Sequence, residues 1–162
     1  MVFGSPQQRS TTNGISREQA TRNYVDGLVS VAPQAGDRGV TILVEALPKA
    51  QSDVVQTLRE AVDIVQTIDN PAVQTMFDTH NAVDEKDSHA ELLERYFEFI
   101  RHVHVNEMDG RYPGTGDYEF GAILKKLEEL DYKGWVSLEV FDFKPSASEI
   151  ATSSIDYLKA HE

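Results

Sequence analysis

Two rhythms of apolar residues alternate along this chain: short β-branched runs, and longer stretches with helical period. Met1–Phe3 is a brief apolar run that leads into a turn at Gly4-Ser5-Pro6. From Arg17 to Ala32, Ala20, Tyr24, Leu28 and Val31 fall near one face of a 3.6-residue period, which predicts a helix. Ser16 is its expected N-cap, with Gln19 at the third helical position. Pro33 and Gly36 are expected to end it. Val40–Glu45 reads as a buried strand closing on a carboxylate. A helix over 52–66 is expected next, with Val55, Leu58, Val62 and Val65 on one face. Asp69-Asn70-Pro71 is loop chemistry. Val73–Asp78 is the next strand, again closing on a carboxylate. A helix from about Ser88 to Ile100, a strand over His102–Val105 and a Gly- and Pro-bearing loop over Asn106–Asp117 follow. A helix over Phe120–Leu130, a strand over Trp135–Val140 and a helix from about Ser146 to Ala160 complete the pattern.

Strands alternating with helices imply a parallel sheet covered by helices, hence the α/β class. Such a sheet is either open and doubly wound or part of a (β/α)₈ barrel. No GxGxxG fingerprint follows the first strand, which weakens the first option. A whole barrel takes about 250 residues. This chain has 162, enough for four or five βα units. The expectation is therefore a partial (β/α)₈ TIM barrel, one partial domain over residues 1–162, with two open sheet edges. No linker or low-complexity tract divides it.

Charge narrows the partners. Lys plus Arg number 15 and Asp plus Glu 27, a net charge of −12. A nucleic-acid surface needs concentrated positive charge, and so does an anionic membrane, so neither is expected as a partner. There is no cysteine, which excludes a disulfide framework, a thiol nucleophile and a thiolate zinc site. No apolar run reaches the length of a membrane-spanning helix and no signal-peptide pattern is present. The expected location is cytoplasmic.

The chemistry gathers at strand ends. Glu45, Asp78 and Glu139 each stand at or beside the C-terminal end of a predicted strand, and His104 lies near the end of another. Each is about one βα unit from the next, so a parallel barrel projects all four at the rim where its active sites lie. One imidazole and three carboxylates form a hard, oxygen-rich set. It suits Mn²⁺, Mg²⁺ or Co²⁺ with positions left for substrate oxygens, and suits Zn²⁺ less well. Without a cation the three carboxylates would raise one another's pKa values. Taken singly, a strand-end acid is a loop cap or ion-pair partner, and a strand histidine is a core residue. Four in successive units favour function. His80 lies two residues past a strand end and could equally be solvated. His102 shares strand parity with His104 and reads as packing beside it. His89 and His161 are expected on the surface. Of the loop acids Glu107, Asp109 and Asp117, only Glu107 is close enough to a strand end to support the metal ligands.

Six segments together resemble the xylose-isomerase-like TIM barrels: Gly4–Arg9, Val44–Pro48, Phe77–Asn81, His102–Glu107, Arg111–Gly116 and Val136–Glu139. That superfamily holds sugar phosphate isomerases and epimerases, ketose 3-epimerases and the AP endonuclease family 2 type. The resemblance runs from the fourth strand of such a barrel through its eighth helix. It implies a divalent metal on Glu45, Asp78, His104 and Glu139, with Glu45 and Glu139 also moving the proton at the substrate carbon. Gln7, Arg9, His80, Asn81 and Arg111 are then candidates to hold substrate hydroxyls or a phosphate. Arg9 and Arg111 are the anion candidates because the guanidinium is a bidentate fork. Both could instead form surface ion pairs.

Three positions depart from the ketose 3-epimerase pattern. Asn81 stands where a histidine is usual three residues past the metal Asp. Gly110, followed by Arg111, stands where an arginine is usual. Gln51 replaces a substrate-contacting glutamate. The metal set thus carries over, while ketose 3-epimerase specificity does not. The expected function is a metal-dependent sugar or sugar phosphate isomerase or epimerase, moving a proton at a carbon next to a carbonyl of a small sugar or polyol. The alternatives are an inosose-type dehydratase using the same metal and proton abstraction, or a non-catalytic half barrel. Phosphodiester hydrolysis fits poorly, because it would call for a histidine-rich multi-zinc site on a basic surface. Open edges make a homodimer the expected assembly.

Overall fold

The computed structural model describes residues 1–11 and 13–161. Five strands form one parallel sheet in the order β1-β2-β3-β4-β5, so each strand lies beside its neighbour in sequence. They are β1 (Val2–Phe3), β2 (Ile42–Val44), β3 (Val73–Asp78), β4 (Ile100–Val105) and β5 (Trp135–Leu138). A doubly wound sheet reverses its strand order at a switch point. This order never reverses, which decides for the partial barrel. Among the described residues, β1 and β5 each have one unpaired edge.

The helices follow the strands: α1 (Pro6–Arg9), α2 (Arg17–Asp37), α3 (Leu58–Ile68), α4 (His89–Tyr96), α5 (Phe120–Glu129) and α6 (Ala147–Lys159). All of β2 is buried, as expected for a strand covered on both faces. Two apolar clusters hold helices to sheet. One joins Tyr24 and Leu28 of α2 to Val44 and to Ile64 and Val65 of α3. The other joins Leu92 and Leu93 of α4 to Phe77, Val103 and Val105 of the sheet and to Phe120 and Ile123 of α5. No helix among the described residues is long and apolar enough to cross a membrane.

Several boundaries differ from the sequence pattern for identifiable reasons. Helix α2 runs through Pro33 and Gly36 to Asp37. Pro33 is on the exposed face of the last turns, where water can meet the carbonyl it leaves unbonded. Helix α3 starts at Leu58, not 52, because the Thr57 hydroxyl caps it by accepting from the Glu60 N–H. Val55 lies in the preceding loop at φ +60°, and its carbonyl accepts from the Leu47 N–H at 3.0 Å. That bond folds the loop back under the end of β2, and the buried Val55 side chain produces an apolar spacing that imitates a helix face. Pro6 begins a short helix rather than a turn. The stretch from Phe97 to Phe99 is a 3₁₀ turn, and Ile100 opens β4. Strand β5 ends at Leu138 and its Trp135 is 80% exposed, since no further strand covers that edge among the described residues.

Two substitutions separate cap from core. Thr57→Ala should cost about 1 kcal/mol. Leu93→Ala, at a fully buried side chain between α4 and the sheet, should cost about 2–5 kcal/mol. Denaturant titration checks both. Equal small losses would show that the α4 cluster is not the packed core described.

Candidate metal centre

Parallel register is what brings the strand-end residues together. Asp78 on β3 pairs with His104 on β4, and His104 pairs with Ser137 on β5, two residues before Glu139. Glu45 directly follows β2, where its N–H reaches the Phe3 carbonyl of β1 at 3.5 Å. From these positions Glu45, Asp78, His104 and Glu139 each offer one ligand atom, all within 4.8 Å of one another. His104 Nδ1 is 3.2 Å from Glu139 Oε2, 3.4 Å from Asp78 Oδ2 and 3.8 Å from Glu45 Oε1.

The electrostatics are unfavourable for the bare carboxylates. Burial, followed by the charges of Asp78 and Glu139, raises Glu45 from 4.5 to about 7. Burial alone would lower His104, but the carboxylates of Asp78 and Glu139 outweigh it and push it up to about 10. The hydrogen bond from His104 holds Glu139 below the ordinary carboxylate value. Asp78 Oδ2 is buried and has no hydrogen-bond partner among the described residues. An orphaned carboxylate oxygen beside two further carboxylates and an imidazole is a donor set that a hard divalent cation fits, since the cation supplies the missing positive charge.

The surrounding residues fix the orientation of these side chains. The Asn81 N–H donates to Asp78 Oδ1 at 2.7 Å, and Asn81 Nδ2 donates to Glu45 Oε1 at 3.1 Å. His80 Nδ1 is 2.7 Å from the Met108 carbonyl. A carbonyl only accepts, so Nδ1 carries the proton and Nε2 is the ring atom left for another partner. The His80 ring also lies 5.3 Å from that of Phe141, a half-exposed residue at the rim just past Glu139.

Arg9 is buried, which removes the surface ion-pair reading. Its Nη1 donates to the Glu45 main-chain carbonyl at 2.7 Å, and its guanidinium lies 5.7 Å from the centre of the Tyr24 ring. Gln7 is exposed on α1. Arg111 bonds Asp109 at 2.7 Å and the Thr115 carbonyl. Among the described residues, no hydrogen bond or ion pair joins Gln7 or Arg111 to the four clustered side chains. Gln51 is exposed in a turn, and Gly110 packs on Phe141.

Some assignments change on seeing the contacts. Glu107 does not reach the metal-type cluster. It is fully buried, and its carboxylate accepts from the Gly114 N–H at 2.9 Å and the Tyr118 N–H at 3.2 Å, so it organises the loop after β4. His89 is not a surface residue. It hydrogen-bonds the Tyr118 hydroxyl and packs edge-on to Phe77, because its position on α4 faces the sheet. His102 does pack beside His104, with ring centres 4.9 Å apart, and His161 is exposed.

Asn106 was not singled out by its sequence. Its Oδ1 accepts from the His80 N–H at 2.8 Å, and its N–H donates to Thr79 Oγ1 at 2.9 Å, tying the exits of β3 and β4 together. The available signal was an amide directly after the His-Val-His-Val strand.

Comparison with known proteins agrees with this architecture. The pattern of the xylose isomerase-like TIM barrel family matches residues 2–161, and the chain belongs to that family. It is 29% identical to the D-psicose 3-epimerase of Agrobacterium fabrum over 117 residues, covering 72% of this chain and 40% of that protein. It is 26% identical to the inosose dehydratase of Clostridium botulinum, covering 88% of this chain and 55% of that one. The crystal structure of the apo 3-keto-D-glucoside 4-epimerase of E. coli superposes with a TM-score of 0.85 at 23% identity, over 92% of this chain and 57% of that chain. The chain thus spans about half the length of the relatives it matches.

The metal-free site has a defined pH response. Glu45 and His104 both have folded-state values above their ordinary ones. Protonation therefore favours the metal-free fold, and its contribution fades as pH rises through about 7 for Glu45 and about 10 for His104. A cation must displace those protons, so Mn²⁺ affinity should run the other way and rise with pH, about tenfold per unit for each proton released. Calorimetry between pH 6 and 8 in buffers of different ionisation enthalpy checks this, with His104→Ala expected to bind more weakly. Affinity independent of pH, or unchanged in His104→Ala, would contradict the site.

Proposed function

We propose that this chain carries the metal-binding rim of a sugar isomerase or epimerase that moves a proton at a carbon next to a carbonyl. The observation that carries this is the convergence of Glu45, Asp78, His104 and Glu139 from four successive strand ends. The names of the relatives support it: D-psicose 3-epimerase, ketose 3-epimerase and 3-dehydro-D-guloside 4-epimerase. The four side chains would hold the cation, Mn²⁺, Mg²⁺ or Co²⁺. Once bound, it would act as a Lewis acid that polarises the substrate carbonyl and makes the neighbouring C–H more acidic.

The chain's own groups handle the proton and the substrate. Glu139 is the more accessible of the two glutamates, with 35% of its side chain exposed against 7% for Glu45. It takes the proton at the open side of the rim, and Glu45 acts from the buried side. Proton return to the neighbouring carbon, the former carbonyl carbon, gives isomerisation, and return to the original carbon from the opposite face gives epimerisation. Asn81 keeps the Glu45 carboxylate turned toward the cluster, and His80 offers Nε2 to a substrate hydroxyl. Arg9 acts on Glu45 from behind rather than on substrate.

A second reading is dehydration of an inosose-type polyol ketone, favoured by the larger share of this chain that matches inosose dehydratase. It begins with the same proton abstraction and differs in expelling a hydroxyl. We further propose that two copies associate. The unpaired edges of β1 and β5 and the nearly bare Trp135 and Phe143 side chains favour partners.

Glu45→Gln and Glu139→Gln should each lower exchange of substrate carbon-bound hydrogen with solvent by about 10²–10⁴-fold, because glutamine keeps the shape but cannot act as a base. NMR in D₂O over a panel of keto sugars and inososes reads the exchange. Full exchange in both variants would remove the proton-transfer roles. Loss of water from the inosose would choose the second reading. Light scattering after size exclusion should give the mass of a dimer or larger species; a monomer with a sharp cooperative melt would contradict association.

A further inference from the structure

The connection leaving β1 presses on Glu45 at its main chain and at its carboxylate. Arg9 Nη1 holds the Glu45 carbonyl at 2.7 Å. At the other end of the segment, Gly4 lies against the Glu45 carboxylate. A Cβ on Gly4 would stand 1.6 Å from Glu45 Oε2 and 2.8 Å from Cδ, and its three nearest atoms all belong to Glu45. The backbone of Gly4 is outside the left-handed region, so alanine is conformationally allowed there. What the position requires is empty space. The carboxylate occupies the volume a methyl group would take, with Oε1 turned to Asn81 and His104 and Oε2 turned to Gly4.

We propose that Gly4 is a positioning residue for the metal centre. Its missing side chain lets the Glu45 carboxylate lie across the end of β1, and that placement keeps Oε1 within the ligand set. The inference rests on the reading of Glu45 as a ligand. The two severe contacts of a methyl group at this position, with Oε2 and Cδ, are with the far end of a flexible side chain, and Cβ at 3.4 Å is an ordinary contact, so the strand and its connection can stay in place while the carboxylate swings away. Asn81 would then lose its acceptor and His104 one of its three carboxylate neighbours.

The test compares the 162-residue chain with Gly4→Ala, Glu45→Asp and Glu45→Ala, and with each Glu45 variant combined with Gly4→Ala. Mn²⁺ binding is read by calorimetry and folding by circular dichroism melts. Gly4→Ala should bind Mn²⁺ at least tenfold more weakly. Glu45→Asp, one methylene shorter, should weaken binding when Gly4 is present but strengthen it in the Gly4→Ala background, because the shorter carboxylate clears the added methyl. Gly4→Ala binding within twofold of wild type, or a double variant no better than Gly4→Ala alone, overturns the proposal.

The melts decide the steric pairing independently of metal. Removing the Glu45 carboxylate by Glu45→Ala should shift the melting temperature more favourably in the Gly4→Ala background than in the wild type. Equal shifts overturn the pairing whatever the binding result. A wild-type chain that binds no Mn²⁺ overturns the ligand reading of Glu45 and, with it, the metal-positioning role of Gly4, while the melts still report whether the two residues meet.

Discussion

Everything at the rim depends on hydrogen bonding between parallel neighbours. Because the strands are paired in sequence order, each one ends beside the next. A slip of one residue between β3 and β4 would move every side chain of one strand to the other face. Asp78 would then no longer be level with His104. The apolar residues Val44, Phe77, Val103 and Val105 matter to the site for this reason: they set the register, and the register sets where the charges meet. Packing and chemistry share one set of strands, with the core in their middles and the donors at their ends.

The cost of that arrangement is visible in the donors themselves. Three carboxylates around one imidazole are tolerable without a cation only because protons stay on: Glu45 holds its proton to about pH 7 and His104 to about pH 10. The neighbouring amides reduce the remaining strain by fixing which oxygen faces inward. Asn81 binds both Glu45 and Asp78, and so couples two candidate ligands that come from different strand ends. Asn106 ties the exits of β3 and β4 at the layer just behind. The carboxylate oxygens of Glu45 and Asp78 are oriented by the Asn81 amide and backbone N–H, while Arg9 holds the Glu45 main chain.

Much of this was legible in the sequence. Strands such as Val73–Asp78 stand out because a short β-branched run bounded by loop residues has few other readings. The candidate ligands stand out because each lies at, beside or near the end of such a run. What the pattern concealed has a common cause in local chemistry that imitates another element. Val55 looks helical because it is buried, yet it sits at φ +60° in a loop. Pro33 looks like a stop, yet it faces water near a helix end. Glu107 looks like a supporting ligand by its place after β4, yet it folds its own loop. Arg9 reads equally as an anion-binding residue or a surface ion pair, and only the three-dimensional path from α1 back to Glu45 shows it buried against that residue. The role of Gly4 is invisible in a linear pattern, since it consists of a neighbour filling a void.

The loop after β4 shows what a buried acid does for tolerance to change. Glu107 anchors both Gly114 and Tyr118, and its own N–H takes the Arg111 carbonyl at 2.9 Å. One side chain thus closes the loop from inside, much as a keystone closes an arch. The side chains of Asp109 and Arg111 at the tip point outside that closure and pair with each other, so they can differ while the backbone bonds beneath them hold. The rim can therefore acquire new contacts for a different ligand by drift at the tip, with the metal-type cluster unchanged beneath it. The same division lets the strand-end cluster stay fixed while the sequence of the loop above it changes.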